Sequence, residues 1–91
     1  MSDRVSGQVV ANNVTAATII KLGPGRCAMV SVLSGTNPAT IHDTTTTGAA
    51  AIGNQIAAVP GTVGTYLIDM PFYSGLVVVP GVTTPLAVSY V

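Results

Sequence analysis

TYLIDMPFYSGLVVVPGVTTPLAVSYV, residues 65–91, is the stretch whose reading decides the fold. It predicts three β-strands, Thr65–Phe72, Gly75–Val79 and Leu86–Val91, separated by Tyr73-Ser74 and by the Pro/Gly-rich segment from Pro80 to Pro85. In the first, Tyr66, Ile68, Met70 and Phe72 alternate with Thr65, Leu67, Asp69 and Pro71, the period-2 pattern of a strand with one buried face. Those four residues are the expected core. The second strand is a short apolar run bounded by Gly and Pro, as expected of a strand covered on both sides. The third alternates Leu86, Val88 and Tyr90 with Ala87, Ser89 and Val91.

Working back from residue 65, the same signals recur. Val14–Leu22 reads as one strand, broken by Gly23-Pro24-Gly25, and Arg26–Leu33 as a central strand with both faces apolar. The Gly-Pro-Gly break predicts a hairpin between them. Ala39–Asp43 is a short strand with Ile41 facing one way and Thr40 and His42 the other. Ala49–Val59 is ambiguous. Ile52, Ile56 and Val59 have helical spacing, but Gly53 and Asn54 lower helix propensity; the extended reading, with Ile52, Ile56 and Ala58 on one face, agrees better with its neighbours. The fold expected is all-β: a single small β-sandwich, jelly-roll-like, of seven or eight short antiparallel strands. Residues 14–91 form the sandwich, and residues 1–13 an N-terminal arm or edge strand.

Composition bounds what such a domain does. A chain of 91 residues makes one domain, and its apolar fraction of 48% is ordinary, whereas only 7% of its residues are charged, against about a quarter in an average soluble domain. With net charge +0, a surface so poor in charge favours association. Asp69 is the only charge after Asp43, so much of the second half is expected to be core or surface covered by another chain. Three basic residues do not make the phosphate-neutralising patch of a nucleic-acid-binding protein. No apolar run reaches transmembrane length, and Met1-Ser2-Asp3-Arg4 lacks the features of a signal peptide, so synthesis in a cytoplasm is expected, with neither nucleic acid nor membrane as partner.

Reactive chemistry is sparse. Cys27, the only cysteine, reads as a buried small hydrophobe. His42-Asp43 is the one adjacent pair able to exchange protons, without an evident nucleophile or third orienting group. The reading is therefore of a non-enzyme with no cofactor and no metal site. Asp43 is expected to start its own turn by accepting from backbone amides, and His42 to sit on a solvent or interface face. Asp69, among apolar neighbours, is expected either to point to solvent or to pair with Arg26, Lys21 or a neighbouring copy's Arg4.

Three patterns carry a resemblance: Ile41-His42-Asp43-Thr44 before a Thr/Gly/Ala loop, the strand–aromatic–x-x-Gly-Leu run from Thr65 to Leu76, and the ending Val88-Ser89-Tyr90-Val91. Over residues 14–91 the chain resembles the small all-β virion proteins of tailed bacteriophages, notably those that decorate or cement the capsid exterior. The resemblance implies a virion location on the capsid surface, the shell of major capsid protein as partner, and no catalytic residues. The alternatives are a module of a phage tail, fibre or head spike that binds a host, and a non-viral oligomeric adaptor. Self-association as a trimer or dimer is expected. The contact surface is placed at Leu76, Val78 and Val82 and at the C-terminal edge with Val91, joined by Arg4, Val5 and Val9 of the arm and by Asp69.

Overall fold

The structure is a computed structural model and describes residues 9–35 and 37–91. Eight strands follow one another: β1 (Val9–Val14), β2 (Thr18–Leu22), β3 (Gly25–Val32), β4 (Ala39–Asp43), β5 (Gln55–Val59), β6 (Gly64–Phe72), β7 (Gly75–Val79) and β8 (Leu86–Tyr90). Two short 3₁₀ turns, Thr47–Ala49 and Ile52–Asn54, lie between β4 and β5. The ambiguous segment thus resolves into a 3₁₀ turn followed by a strand, Gly53 and Asn54 ending the turn where a longer helix would have had to pass through them.

The strands form two four-stranded antiparallel sheets, ordered β1-β8-β3-β6 and β2-β7-β4-β5. The first strand pairs with the last, the second with the seventh, the third with the sixth and the fourth with the fifth. Two further pairings, β3 with β8 and β4 with β7, close the sheets. This is a long antiparallel hairpin rolled up on itself, the strand order of a jelly roll. The expected β-sandwich is observed.

The core between the sheets comes from one face of nearly every strand. Val30, Val32, Leu86, Val88 and Phe72 of the first sheet meet Ile41, Leu76, Val78, Val59 and Ala39 of the second, with Cys27 among them and all nearly or wholly without exposure. Strand β7 is central in its sheet, and Leu76, Val77 and Val78 are all buried; the apolar run that predicted a strand covered on both sides has that place.

Several expectations are corrected. Val14–Leu22 is not one strand: Thr15–Ala17 carry the chain from the first sheet to the second, and Val9–Asn13 join Val14 as the edge strand β1. Gly23-Pro24-Gly25 does not close a hairpin. It crosses back to the first sheet, because β2 finds its partner in β7 and β3 finds its partners in β6 and β8. Among the four predicted core residues, Phe72 is fully buried, Tyr66 and Ile68 pack partly against the core, and Met70 is exposed. Met70 follows an irregularity: between Cys27 and Met29 the β3–β6 register shifts, with Asp69 at φ 49°, and the buried face of β6 resumes at Phe72. Ile52 is exposed in its 3₁₀ turn, and Ile56, Ala57 and Val59 supply the partly or fully buried residues of that region.

Alternation between sheets puts the connections at two opposite ends. At one end lie the loops 15–17, 33–38, 60–63 and 80–85; at the other lie the turns after β2, β4 and β6. The loop end is tied together across the sheets. The buried Thr84 hydroxyl accepts from the Asn37 amide at 3.1 Å, and the Asn37 side chain donates to the Val82 carbonyl at 2.7 Å. Gly35 makes this possible: it has φ +111°, and a Cβ there would collide with Thr83 and Thr84.

Removing the one large aromatic of the core tests this packing. Phe72→Ala is expected to lower unfolding free energy by about 3–5 kcal/mol, whereas Met70→Ala, on the bulged and exposed part of the same strand, should cost less than about 1 kcal/mol. Urea unfolding of the two variants measures both; equal losses would place Met70 in the core after all.

Candidate functional site

With so few charges, their placement carries information. Lys21 lies near the end of β2, Arg26 near the start of β3, Asp43 at the end of β4 and Asp69 near the end of β6. All charged side chains among the described residues therefore gather toward the turn end. The loop end has none of them.

At the turn end, Asp43 is structural. Its carboxylate accepts from the amides of Tyr73 at 3.0 Å, Ser74 at 2.8 Å and Gly75 at 3.3 Å, so it caps the β6–β7 turn and not its own. Partial burial pushes the carboxyl up, but the three amides outweigh it and hold Asp43 below the usual carboxylate value. The neighbouring Gly23 amide donates to the Ser74 carbonyl at 2.9 Å, joining a second turn to the first. Arg26 donates to the Asp69 carboxylate and to its backbone carbonyl, each at 2.9 Å. Both side chains of this pair are more than half exposed, so the pair contributes little to stability. Asp69 thus has a partner within its own chain, and Arg4 and Val5 lie outside the described residues.

His42 is buried, contrary to the surface position expected of it. It does point to the outer face of the second sheet, but residues 44–54 fold over the part of that face around His42 and Val77, leaving Ile19 on β2 exposed. Nδ1 lies 3.0 Å from the Ala51 carbonyl and 2.9 Å from the Asn54 Oδ1 atom, both acceptors, so Nδ1 carries the proton and donates; Nε2 then accepts from the Thr40 hydroxyl at 2.8 Å. Asn54 fixes the flap further by accepting from the Ala51 amide and donating to the Ala49 carbonyl. Val77, beside His42 and Ile19 on that face, is buried by the same cover. Nδ1 of His42 thus holds the flap, while Nε2 is tied to Thr40 on its own strand. Among the described residues, no three His, Cys, Asp or Glu side chains converge as a metal site would require, and burial pushes the Cys27 thiol up to about 11, away from thiolate chemistry.

Two surfaces remain uncommitted. The first is the loop end, where Val82 is 77% and Val63 62% exposed, with Leu33 beside them among Pro, Gly, Thr and Ser. The second is the outer face of the first sheet, over which none of the described residues fold. There Val10, Ser89, Met29 and Leu67 stand in one row across all four strands. Below them lie Ala87, Ser31 and Thr65, the last two sharing a hydrogen bond of 3.1 Å.

Of the contact residues expected from sequence, Val82 and Val91 are exposed and Val9 is half-buried at the edge. Leu76 and Val78 are corrected: both point into the core and touch no surface, because a strand flanked on either side within its sheet spends its apolar residues on the interior. Met29, Val10, Leu67 and Val63 are exposed apolar residues that the sequence reading did not place on a contact surface. Their signal was present as large apolar residues on the polar side of an alternating strand or in a loop, and it becomes legible only once the inward face is known.

The amide cap on Asp43 has a pH signature. A carboxyl held low in the folded state contributes stability that is complete above its unfolded value of about 3.9 and is lost as pH falls through the lower folded value. The Asp43 contribution should therefore be constant above about pH 5 and be lost below about pH 4, and Asp43→Asn should flatten that acid limb. Denaturation across pH 2–7 measures it, and an unchanged limb in the variant would remove Asp43 as its source. No family model matches the chain, and neither a curated protein nor a solved structure does, so its functional reading rests on its own surface.

Proposed function

We propose that the chain is a structural, non-catalytic virion protein that docks on an assembled bacteriophage capsid shell and braces it, with the charge-free loop end as the docking surface. The observation that carries this reading is the segregation of charge. Four loops contributed by both sheets present Leu33, Val63 and Val82 with no charged residue, while Lys21, Arg26, Asp43 and Asp69 lie toward the opposite end. Contact through such a surface desolvates no charge and matches the charge-depleted core of protein interfaces. The loop lock between Asn37, Val82 and Thr84 keeps the surface rigid before contact, so little ordering entropy is lost on binding.

Two further features support the shell as partner. The strand order is one that many viral shell proteins use, a likeness of architecture rather than of site. A shell also offers many equivalent positions, so contacts that are weak singly are strong together. The appendage reading calls for exposed aromatics on which a glycan could stack. Phe72 is buried, Tyr66 and Tyr90 pack against the core, and Tyr73 stands alone at the turn end; no aromatic platform is assembled.

The test mixes the purified chain with pre-assembled shells and with free shell subunits. Binding to shells and not to subunits is expected, with shells lacking the chain leaking at lower temperature. Val82→Asp and Val63→Asp should each weaken binding at least tenfold, about 1.4 kcal/mol, without altering the fold. Equal binding by these variants would remove the loop end as the docking surface, and equally robust shells with and without the chain would remove the bracing role.

A further inference from the structure

Three non-glycine residues among those described have a left-handed backbone: Asn13 at φ 54°, Asp69 at φ 49° and Thr83 at φ 61°. Asn and Asp adopt that conformation readily, because their short polar side chains bond locally. A β-branched residue does not, and Thr83 is the outlier. It sits at the loop end, between β7 and β8, with its side chain exposed beside Val82.

The turn accounts for the left-handed backbone but not for a threonine there. The Thr84 amide donates to the Gly81 carbonyl at 3.1 Å, closing a β-turn over residues 81–84. Val82 has no positive φ and Thr83 has one, the pattern of a type II turn, whose third position takes Gly or Asn. The surroundings impose this turn. A Cβ on Gly81 would collide with the Asn37 and Pro38 backbone, as one on Gly35 would with Thr83 and Thr84. The two bonds from Asn37, to the Thr84 hydroxyl and the Val82 carbonyl, complete the clasp. Two loops packed backbone to backbone hold the turn whatever side chain residue 83 bears.

Nor does the fold depend on that side chain. Its hydrogen bond within the described residues is donated by Oγ1 to the adjacent Val82 carbonyl at 2.6 Å. The same carbonyl accepts from Asn37 Nδ2 at 2.7 Å and from Thr84 Oγ1 at 3.4 Å. Three donors converge on an oxygen with two lone pairs. When the Thr83 hydroxyl turns away, the carbonyl keeps two donors. Thr83 therefore offers a spare donor beside Val82, the most exposed large apolar residue of the loop end. Backbone strain that breaks a turn's own rule and is held by its surroundings is a mark of functional positions.

We infer that Thr83 is a specificity-determining contact of the loop end, whose hydroxyl leaves the Val82 carbonyl on docking and donates to an acceptor on the partner. The inference rests on the reading of the loop end as the docking surface, and it adds the chemistry of the site that receives it. That site is an apolar recess for the branched Val82 side chain with a hydrogen-bond acceptor at its rim. Apolar contact alone is non-directional; a hydrogen bond beside it fixes the orientation of the docked chain.

The test measures binding to pre-assembled shells beside thermal unfolding of the free chain, for the parent and two variants. Thr83→Gly relieves the strain and deletes the donor. Its Tm should equal or exceed the parent's, strain relief offsetting the greater chain entropy of glycine, while its binding falls about tenfold. Thr83→Ser keeps the hydroxyl and should recover binding to within about threefold of the parent. A side chain needed only by the fold gives the reverse for Thr83→Gly, a Tm several degrees lower with unchanged binding. That result, or Thr83→Ser binding as weakly as Thr83→Gly, would overturn the inference while leaving shell docking intact. A parent chain that does not bind shells would overturn the docking reading, and this role of Thr83 with it.

Discussion

The structure depends on the dry contact between the inner faces of its two sheets. Val30, Val88 and Leu86 on one side and Ile41, Val78 and Leu76 on the other exclude water together, and burial of that apolar surface is the main favourable contribution a domain of this size has. Among the described residues no α-helix assists, and the single cysteine, Cys27, is free. Every strand must therefore contribute inward residues, and the rolled hairpin arranges this by sending successive strands to alternate sheets, with β4–β5 as the exception. Most of these pairings join residues far apart in the chain, so the fold closes cooperatively or not at all.

That constraint decides where charge can go. The interior admits none, and the crossings at the loop end are held by hydroxyl, amide and carbonyl groups of Asn37, Val82 and Thr84. Charge is used at the turn end, where the Asp43 carboxylate gathers three amides and Arg26 holds the bulged Asp69. Among the described residues the molecule is polarised, with one charged end, one uncharged end, one face partly covered by residues 44–54 and one face that none of them covers. The exposed strands of the first sheet are blunted against open-ended pairing by the bulges at Asn13 and Asp69 and by Pro71. The face and the loops are left as the exposed apolar surfaces.

Much of the fold was legible in the sequence, because alternation and turn chemistry are local. The strands of the C-terminal third lie within a residue of where their patterns put them, and the apolar run at Leu76–Val79 announced a central strand. Partnership was not local. Gly23-Pro24-Gly25 marks a turn whether the chain returns to the same sheet or crosses to the other, and Thr15-Ala16-Ala17 contains no breaker, so one strand was read where a crossing occurs. The low charge of the second half was read as contact surface at Leu76 and Val78, which a central strand buries. Met70 lies exposed just after the irregularity at Asp69, and the flap hid His42; both depend on tertiary contacts no period reveals. The row Val10–Ser89–Met29–Leu67 gathers four separate strands and exists only in the register.

If the uncharged end is a contact surface, it should disappear from solvent in the assembled state. Side-chain oxidation footprinting of the chain, free at low concentration and then bound in particles, measures this residue by residue. The account predicts strong protection of Leu33, Val63 and Val82 in particles, with Tyr73 at the turn end labelled as readily as in the free chain. Protection confined to Tyr73, or no change at the three apolar residues, would contradict it.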